Sequence, residues 1–180
     1  MRNSTGNPSD DSRHSWVGTV RFQSGDTATD TAWRVALGDL AGNIVPFKDG
    51  LLERPLPVIL AGLDYDTPWT RDAAINVWNA ALLVPPAVAR NTLLSVLERT
   101  SDGVRIGGQY WDAVIWIPGA WQYYLVSGDR RFLRTAYRAA GRSLEYLHET
   151  EYDARCGLFR GPAVYGDGVA AYPARYVPAS

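Results

Sequence analysis

Apolar residues recur at helical spacing through the middle of the chain. One stripe follows Arg71 and consists of Ala74, Ile75, Trp78, Ala81 and Leu82. Residues three, four and seven apart share one face of an α-helix, so this stripe predicts a helix with a buried face. Pro85 ends that helix and Pro86 opens the next, over residues 87–99, because proline fits the first helical turn but not the interior.

Two further helices are predicted after residue 109. Residues 110–126 are mostly apolar and are interrupted by Pro118 and Gly119, and Asp129 caps a long amphipathic helix over residues 130–149. Helices joined by so few residues lie antiparallel, so the sequence predicts a mainly α fold of helical hairpins. The aromatic residues expected in the core of these helices are Trp78, Tyr137 and Tyr146.

The first 70 residues predict less regular structure. Residues 1–14 are rich in Ser, Asn, Asp and Gly, which predicts a disordered tail before a folded domain over residues 15–180. Residues 16–22 alternate apolar and polar side chains and predict a short strand, while residues 31–40 carry a helical stripe. Residues 44–68 contain too much proline and glycine for a long element, so we expect an ordered irregular segment.

Composition and charge narrow the classes of function. The chain has 180 residues, 46% of them hydrophobic, which is enough to bury the core of one domain. Its 18 basic and 19 acidic residues nearly cancel, and no apolar run reaches membrane-spanning length. Nucleic acids and membranes are therefore not expected as partners. A single cysteine, Cys156, and a polar N-terminal segment predict a cytoplasmic protein.

The densest group of chemically versatile side chains lies in residues 64–72, which contain Tyr65, Trp69, Arg71 and Asp72. An aromatic ring offers a flat apolar face to the C–H side of a pyranose, and an Arg and Asp pair offers donors and acceptors to its hydroxyls. The same residues suit the start of a helix, where acidic side chains are favoured. Taken alone, this segment leaves both interpretations open.

Two later segments repeat this mixture of aromatic and charged residues. The second group contains Gln109, Tyr110, Trp111 and Asp112, with Trp116 one turn later, and the third contains Arg160, Tyr165 and Asp167. In a fold of helical hairpins, the loops at one end of the molecule form a cleft. The repetition therefore favours a ligand site over three unrelated helix ends.

The order and spacing of these motifs resemble the six-hairpin (α/α)6-barrel glycoside hydrolases. The resemblance covers roughly residues 60–173 and rests on Trp69-Thr70-Arg71-Asp72, on Gln109-Tyr110-Trp111-Asp112 with Trp116-Ile117-Pro118, and on Gly128-Asp129 before a helix. The group includes glucoamylases, trehalases, processing α-glucosidases and amylo-α-1,6-glucosidases. The resemblance implies helical hairpins that form part of an (α/α)6 toroid, preceded here by a short irregular and β segment. It also implies hydrolysis of α-glucosides or related oligosaccharides.

The resemblance assigns roles to residues of all three groups. The side chains expected to bind the sugar are Tyr65, Trp69, Arg71, Asp72, Gln109, Tyr110, Trp111, Trp116, Arg160 and Tyr165. Enzymes of this group invert the anomeric centre with two carboxyl groups, an acid for the leaving oxygen and a base that activates water.

Asp167 is the candidate general acid, because a glycine-rich loop beside Tyr165 suits a partly apolar carboxyl group. The same Tyr-Gly-Asp-Gly sequence also suits an ordinary turn, since Asp-Gly is a common turn signal. Asp112 is the weaker candidate, since carboxylates at helix starts are often caps.

The sequence leaves the extent of the domain and the reaction open. A toroid of twelve helices needs more than 180 residues, so we expect this chain to be its N-terminal portion, with the C-terminal part of the barrel as a candidate partner. The main alternative is a non-catalytic carbohydrate-binding or interaction fragment of the same fold. An epimerase or lyase is disfavoured by the presence of only two histidines. We expect no cofactor and no metal, because His14 and His148 have no metal-spaced partner.

Overall fold

The computed structural model of the protein describes residues 15–62, 64–109 and 112–160. These residues form a mainly helical fold with short antiparallel strand pairs, which confirms the mainly α part of the predicted fold class. The helices are α1 (Thr27–Gly42), α2 (Thr70–Ala80), α3 (Pro86–Leu94), α4 (Asp112–Ser127) and α5 (Arg130–Glu151). The strands are β1 (Ile44–Phe47), β2 (Leu56–Ile59), β3 (Leu97–Thr100), β4 (Gly103–Ile106), β5 (Tyr152–Asp153) and β6 (Leu158–Phe159). The tail predicted over residues 1–14 lies outside the described residues.

The N-terminal part differs from the sequence prediction in two places. A 3-10 helix, Ser15–Thr19, replaces the strand expected over residues 16–22. The Thr19 hydroxyl donates to the Trp16 carbonyl at 2.6 Å, and this local bond closes a turn in place of an extended strand. Helix α1 begins earlier than the predicted residue 31, because the Asp26 carboxylate accepts the Thr29 N–H at 2.7 Å and caps it.

Strands β1 and β2 pair antiparallel where we expected an irregular segment. Pro46 stands opposite Pro57 in the register. Both strands of a two-stranded sheet are edges, so a residue without an N–H is tolerated where its nitrogen faces outward. The N–H of Ile59 donates to the buried Thr92 hydroxyl at 2.9 Å, which fixes this sheet to α3.

Helix α3 is shorter than the helix predicted over residues 87–99, because the β3–β4 hairpin follows it directly. Leu97 pairs with Ile106 in this hairpin, and both side chains are buried in the core. Burial of this pair and the strand hydrogen bonds favour the hairpin over continuation of the helix.

Helices α2 and α4 pack closely and run in the same direction. Thr70, the first residue of α2, donates its hydroxyl hydrogen to the carbonyl of Gly107 just ahead of α4, at 2.9 Å. Further along both helices, a Cβ added at Gly119 would lie 2.6 Å from the Ala74 carbonyl oxygen, so the approach requires glycine. The interruption predicted at Pro118 is wrong, since α4 continues through it. Packing against α2 offsets the hydrogen bond that proline cannot make.

The outward faces of the helices differ in charge. Helix α5 exposes arginine and glutamate side chains, whereas α2 and α4 contain no charged residue after Asp72 and Asp112. Large apolar side chains on these two helices are nevertheless about half exposed: Ile75, Trp78, Val114, Trp121 and Leu125. Among the described residues, no helix combines the length and the apolar character needed to cross a membrane.

Three aromatic residues expected in the core are exposed. Trp78 is 50% exposed, Tyr137 79% and Tyr146 49%. The buried face of α2 is centred on Ala73, Ala74 and Val77, which turns Trp78 outward. The aromatic part of the core is instead made by Trp116, Tyr123 and Phe132.

Candidate functional site

The first turns of α2 and α4 meet at one end of the molecule. The Thr70 hydroxyl reaches the Gly107 carbonyl, and this hydrogen bond joins segments 37 positions apart in the sequence. It therefore brings the first predicted group, over residues 64–72, against the second, which begins at Gln109. The sequence predicts that these groups share a cleft, and the described parts of both lie together.

An ion pair connects the two groups directly. The Nε atom of Arg71 lies 3.2 Å from Oδ1 of Asp112, and the two side chains are 27% and 10% exposed. The other carboxylate oxygen, Oδ2, accepts the backbone N–H of Gln109 at 3.0 Å. Asp112 therefore uses both oxygens to hold Arg71 and the loop in front of α4, which fixes the guanidinium at the start of α4.

Gly108 makes this close junction possible. Its φ is +106°, a backbone conformation that glycine adopts without steric cost. A Cβ at this position would lie 2.7 Å from Oγ1 of Thr70 and 2.9 Å from Oδ2 of Asp112. The Gly107-Gly108 pair, which in the sequence is only a helix break, is thus required for the contact between α2 and α4.

A small cavity beside this junction is lined by the Trp69 ring of the first group. We call it the tryptophan cavity; its lining includes Asp49, Thr67, Pro68, Trp69, Glu98 and Gln109, and its volume is about 210 Å³. The Trp69 side chain is 44% exposed, so its ring is available to a ligand. Tyr65 is 50% exposed and contacts Gly62, while Asp72 is partly exposed in the first turn of α2.

A second cavity adjoins the first and is absent from the sequence predictions. We call it the tyrosine cavity; its lining includes Glu98, Arg105, Gly107, Gly108, Tyr146 and Glu151, and its volume is about 290 Å³. The Arg105 guanidinium lies over the Tyr146 ring, with 4.4 Å between Cζ and the ring centroid. Glu98 and Arg105 stand opposite each other on β3 and β4. A predicted hairpin over residues 97–106 would have placed these two side chains on one face.

Trp116 is a correction to the predicted sugar-binding set. Its side chain is fully buried, and its Nε1–H donates to the Leu93 carbonyl at 3.2 Å. The ring packs against Phe132, with 6.2 Å between centroids. Trp116 lies at the centre of the buried face of α4, so it joins α4 to α3 and α5 in the core. It does not reach the cleft.

The third predicted group is described only at its beginning. Arg160 is exposed, and its Nη2 lies 3.4 Å from the Thr150 carbonyl that accepts from it. Tyr165 and Asp167 lie outside the described residues, as do Tyr110 and Trp111 of the second group.

The exposed indole of Trp69 lines the tryptophan cavity, and the Arg71 guanidinium, two residues later, is held by Asp112 at the start of α4. Arg71, Asp72 and Asp112 are not among the residues that line the two cavities. These groups offer an apolar face together with hydrogen-bond donors and acceptors, which is what a neutral polyhydroxylated ligand requires. Within the described parts of the chain, no group of three or more His, Cys, Asp or Glu side chains is placed to hold a metal ion. Comparison with models of protein families, with curated proteins and with solved structures finds no match to this chain.

Proposed function

We propose that this chain is the N-terminal portion of a glycoside hydrolase that acts on α-glucosides or related oligosaccharides. The observation that carries the proposal is the 3.2 Å ion pair between Arg71 and Asp112. It joins two sequence groups of the same chemistry, and Trp69, two residues before Arg71, is 44% exposed.

In the proposed site, Trp69 presents its ring to the C–H face of the sugar, and Arg71 and Asp72 bond its hydroxyls. Asp112 has a different role in this site. Because both of its oxygens already accept hydrogen bonds, its geometry favours a positioning role, holding Arg71, over the role of proton donor.

The proposed reaction uses two carboxyl groups on opposite sides of the glycosidic bond. The acid donates its proton to the glycosidic oxygen as the bond to the anomeric carbon breaks. The base removes a proton from a water molecule, whose oxygen bonds to that carbon from the opposite face and inverts it. The two carboxyl groups of such enzymes are about 6.5–9.5 Å apart, which leaves room for the water. We propose Asp167 as the acid, and we propose that the base lies in further helices of the domain.

The course of the chain after α5 supports a role for the third group. The N–H of Arg160 donates to the Glu151 carbonyl at 2.5 Å, and the Glu151 residue lines the tyrosine cavity. The chain therefore enters the third group at the end of the molecule where Trp69 and Asp112 lie.

The uncharged outer face of α2 and α4 supports an incomplete domain. A helix that is apolar on all sides is usually buried, and α4 exposes Val114, Trp121 and Leu125. We propose that further helices of the same domain cover the outer face of α2 and α4. They would make apolar contacts with it and leave the charged face of α5 in solvent.

The proposal is tested with protein expressed from the complete reading frame and a panel of α-glucosides. We expect turnover with inversion at the anomeric carbon. Asp167→Asn lowers turnover by orders of magnitude with little loss of binding, and Asp102→Asn, an exposed carboxylate on the β3–β4 turn, serves as the control. Near-normal turnover in Asp167→Asn removes this residue from the acid role, and no turnover on any α-glucoside counts against the hydrolase.

A non-catalytic carbohydrate-binding fragment is the second candidate function. It is favoured by the same double engagement of Asp112, which binds and orients without leaving a free carboxyl oxygen. This alternative predicts saccharide binding by the complete protein and no hydrolysis, so the two measurements together separate it from the enzyme.

A further inference from the structure

The tryptophan cavity and the tyrosine cavity share one wall. Glu98, Gly107 and Gly108 line both of them. Gly108 is exposed and has no side chain, so backbone atoms alone form this part of the wall. The Glu98 carboxylate lies against Gly107, where an added Cβ would collide with it. We call the two cavities with their shared wall the groove, and the Glu98 carboxylate lies on that wall.

Each end of the groove has one accessible aromatic ring. Trp69 is 44% exposed at one end, and Tyr146 is 49% exposed at the other. Arg105 is held against the Tyr146 ring by a cation–π contact of 4.4 Å, which orients both side chains at the second end. The second end therefore combines an aromatic ring with a guanidinium, and the first end offers the Trp69 ring.

Size and charge restrict what the groove accepts. The cavities measure about 210 and 290 Å³. Both lie below the roughly 300–1,000 Å³ of pockets for drug-sized ligands, so each suits one small unit of a larger ligand. Glu98 and Glu151 outnumber Arg105 around the second cavity, which disfavours an anionic group there.

We propose that the groove binds a neutral oligosaccharide of at least two units, with one unit over Trp69, the next at Tyr146 and Arg105, and Glu98 between them. This inference rests on the proposed function and extends it. The preferred ligand is one in which the group beyond the first sugar is itself a sugar, not a phosphate or a small aglycone.

The test is calorimetric binding of glucose, maltotriose and glucose 1-phosphate to the 180-residue chain and to its Tyr146→Ala variant. Tyr137→Ala is the matched control, because Tyr137 lies on the same helix and is 79% exposed. We expect maltotriose to bind more tightly than glucose. Tyr146→Ala weakens maltotriose binding about three- to ten-fold, the loss of one aromatic contact, and leaves glucose binding unchanged. Tyr137→Ala changes neither affinity.

Other outcomes overturn the groove and separate it from the proposed function. If Trp69→Ala weakens maltotriose binding and Tyr146→Ala, folded as judged by circular dichroism, does not, the second subsite is wrong and the sugar site at Trp69 stands. Tighter binding of glucose 1-phosphate than of maltotriose contradicts the neutral ligand. Absence of binding by every saccharide overturns the groove, whereas the proposed function is decided by turnover of α-glucosides by protein expressed from the complete reading frame.

Discussion

Replacing Gly108 by alanine tests the junction of α2 and α4. The residue has a φ of +106°, and an added Cβ would lie 2.7 Å from Oγ1 of Thr70 and 2.9 Å from Oδ2 of Asp112. A left-handed backbone costs alanine about 1–2 kcal/mol relative to glycine. Overpacking of a close contact adds about 1–3 kcal/mol. We therefore expect Gly108→Ala to lower the free energy of unfolding by about 2–5 kcal/mol.

The assay is urea unfolding at pH 7, followed by far-ultraviolet circular dichroism and extrapolated to water. Gly128→Ala is the matched control, because Gly128 has a φ of +66° and no atom within 4 Å of an added Cβ. It is expected to lose only the backbone part, about 1–2 kcal/mol. Equal losses for the two variants, within about 0.5 kcal/mol, would refute the close junction.

Three further predictions follow from other contacts. In a double-mutant cycle of Arg71→Ala and Asp112→Ala, measured by urea unfolding, we expect a coupling free energy of about 1 kcal/mol or more. If the stability losses of the two single variants add up to the loss of the double variant, the ion pair contributes nothing. Asp129→Ala removes the acceptor for two N–H groups at the start of α5, so we expect the free energy of unfolding to fall by about 1–2 kcal/mol. An unchanged midpoint of urea unfolding would contradict the role of Asp129 as a helix cap. Hydrogen bonds from the Thr29 side chain and backbone hold the pKa of Asp26 below its ordinary value. Because folding lowers this pKa, the ionised carboxylate stabilises the fold above the unfolded value of about 3.9, and this contribution is lost as the pH falls through the folded pKa. When urea unfolding is measured at pH 7 and at pH 3, the free energy of unfolding should therefore fall less for Asp26→Asn than for the wild type. An equal fall would contradict the lowered pKa of Asp26.

Long amphipathic elements were predictable from the sequence, and elements set by distant partners were not. Helix α5 follows from its stripe and from the Asp129 cap, both of which are local signals. The β3–β4 hairpin depends on Leu97 meeting Ile106 inside the core, and nothing near Leu97 in the sequence distinguishes a strand from one more helical turn. Pro118 was misleading for a similar reason, since contacts with α2 outweigh its local effect on α4.

The candidate site shows the same division between local and distant signals. The clustering of Trp69, Arg71 and Asp112 was predictable, because all three stand at helix starts and such starts meet at one end of a hairpin fold. The rotation of each helix about its axis was not predictable, so Trp116 was expected in the cleft and Tyr146 in the core, the reverse of what is found. Whether a helical aromatic faces the core depends on which neighbours pack beside it.

The most direct test of the central claim is binding of α-linked oligosaccharides to Trp69→Ala, measured by calorimetry, which does not depend on the removed fluorophore. Trp78→Ala is the matched control, because Trp78 is 50% exposed, close to the 44% of Trp69, and lies on the outer face of α2. The proposed sugar site predicts saturable binding by the wild type and by Trp78→Ala, and its loss in Trp69→Ala. Undiminished binding in Trp69→Ala, or no binding by the wild type, would contradict it.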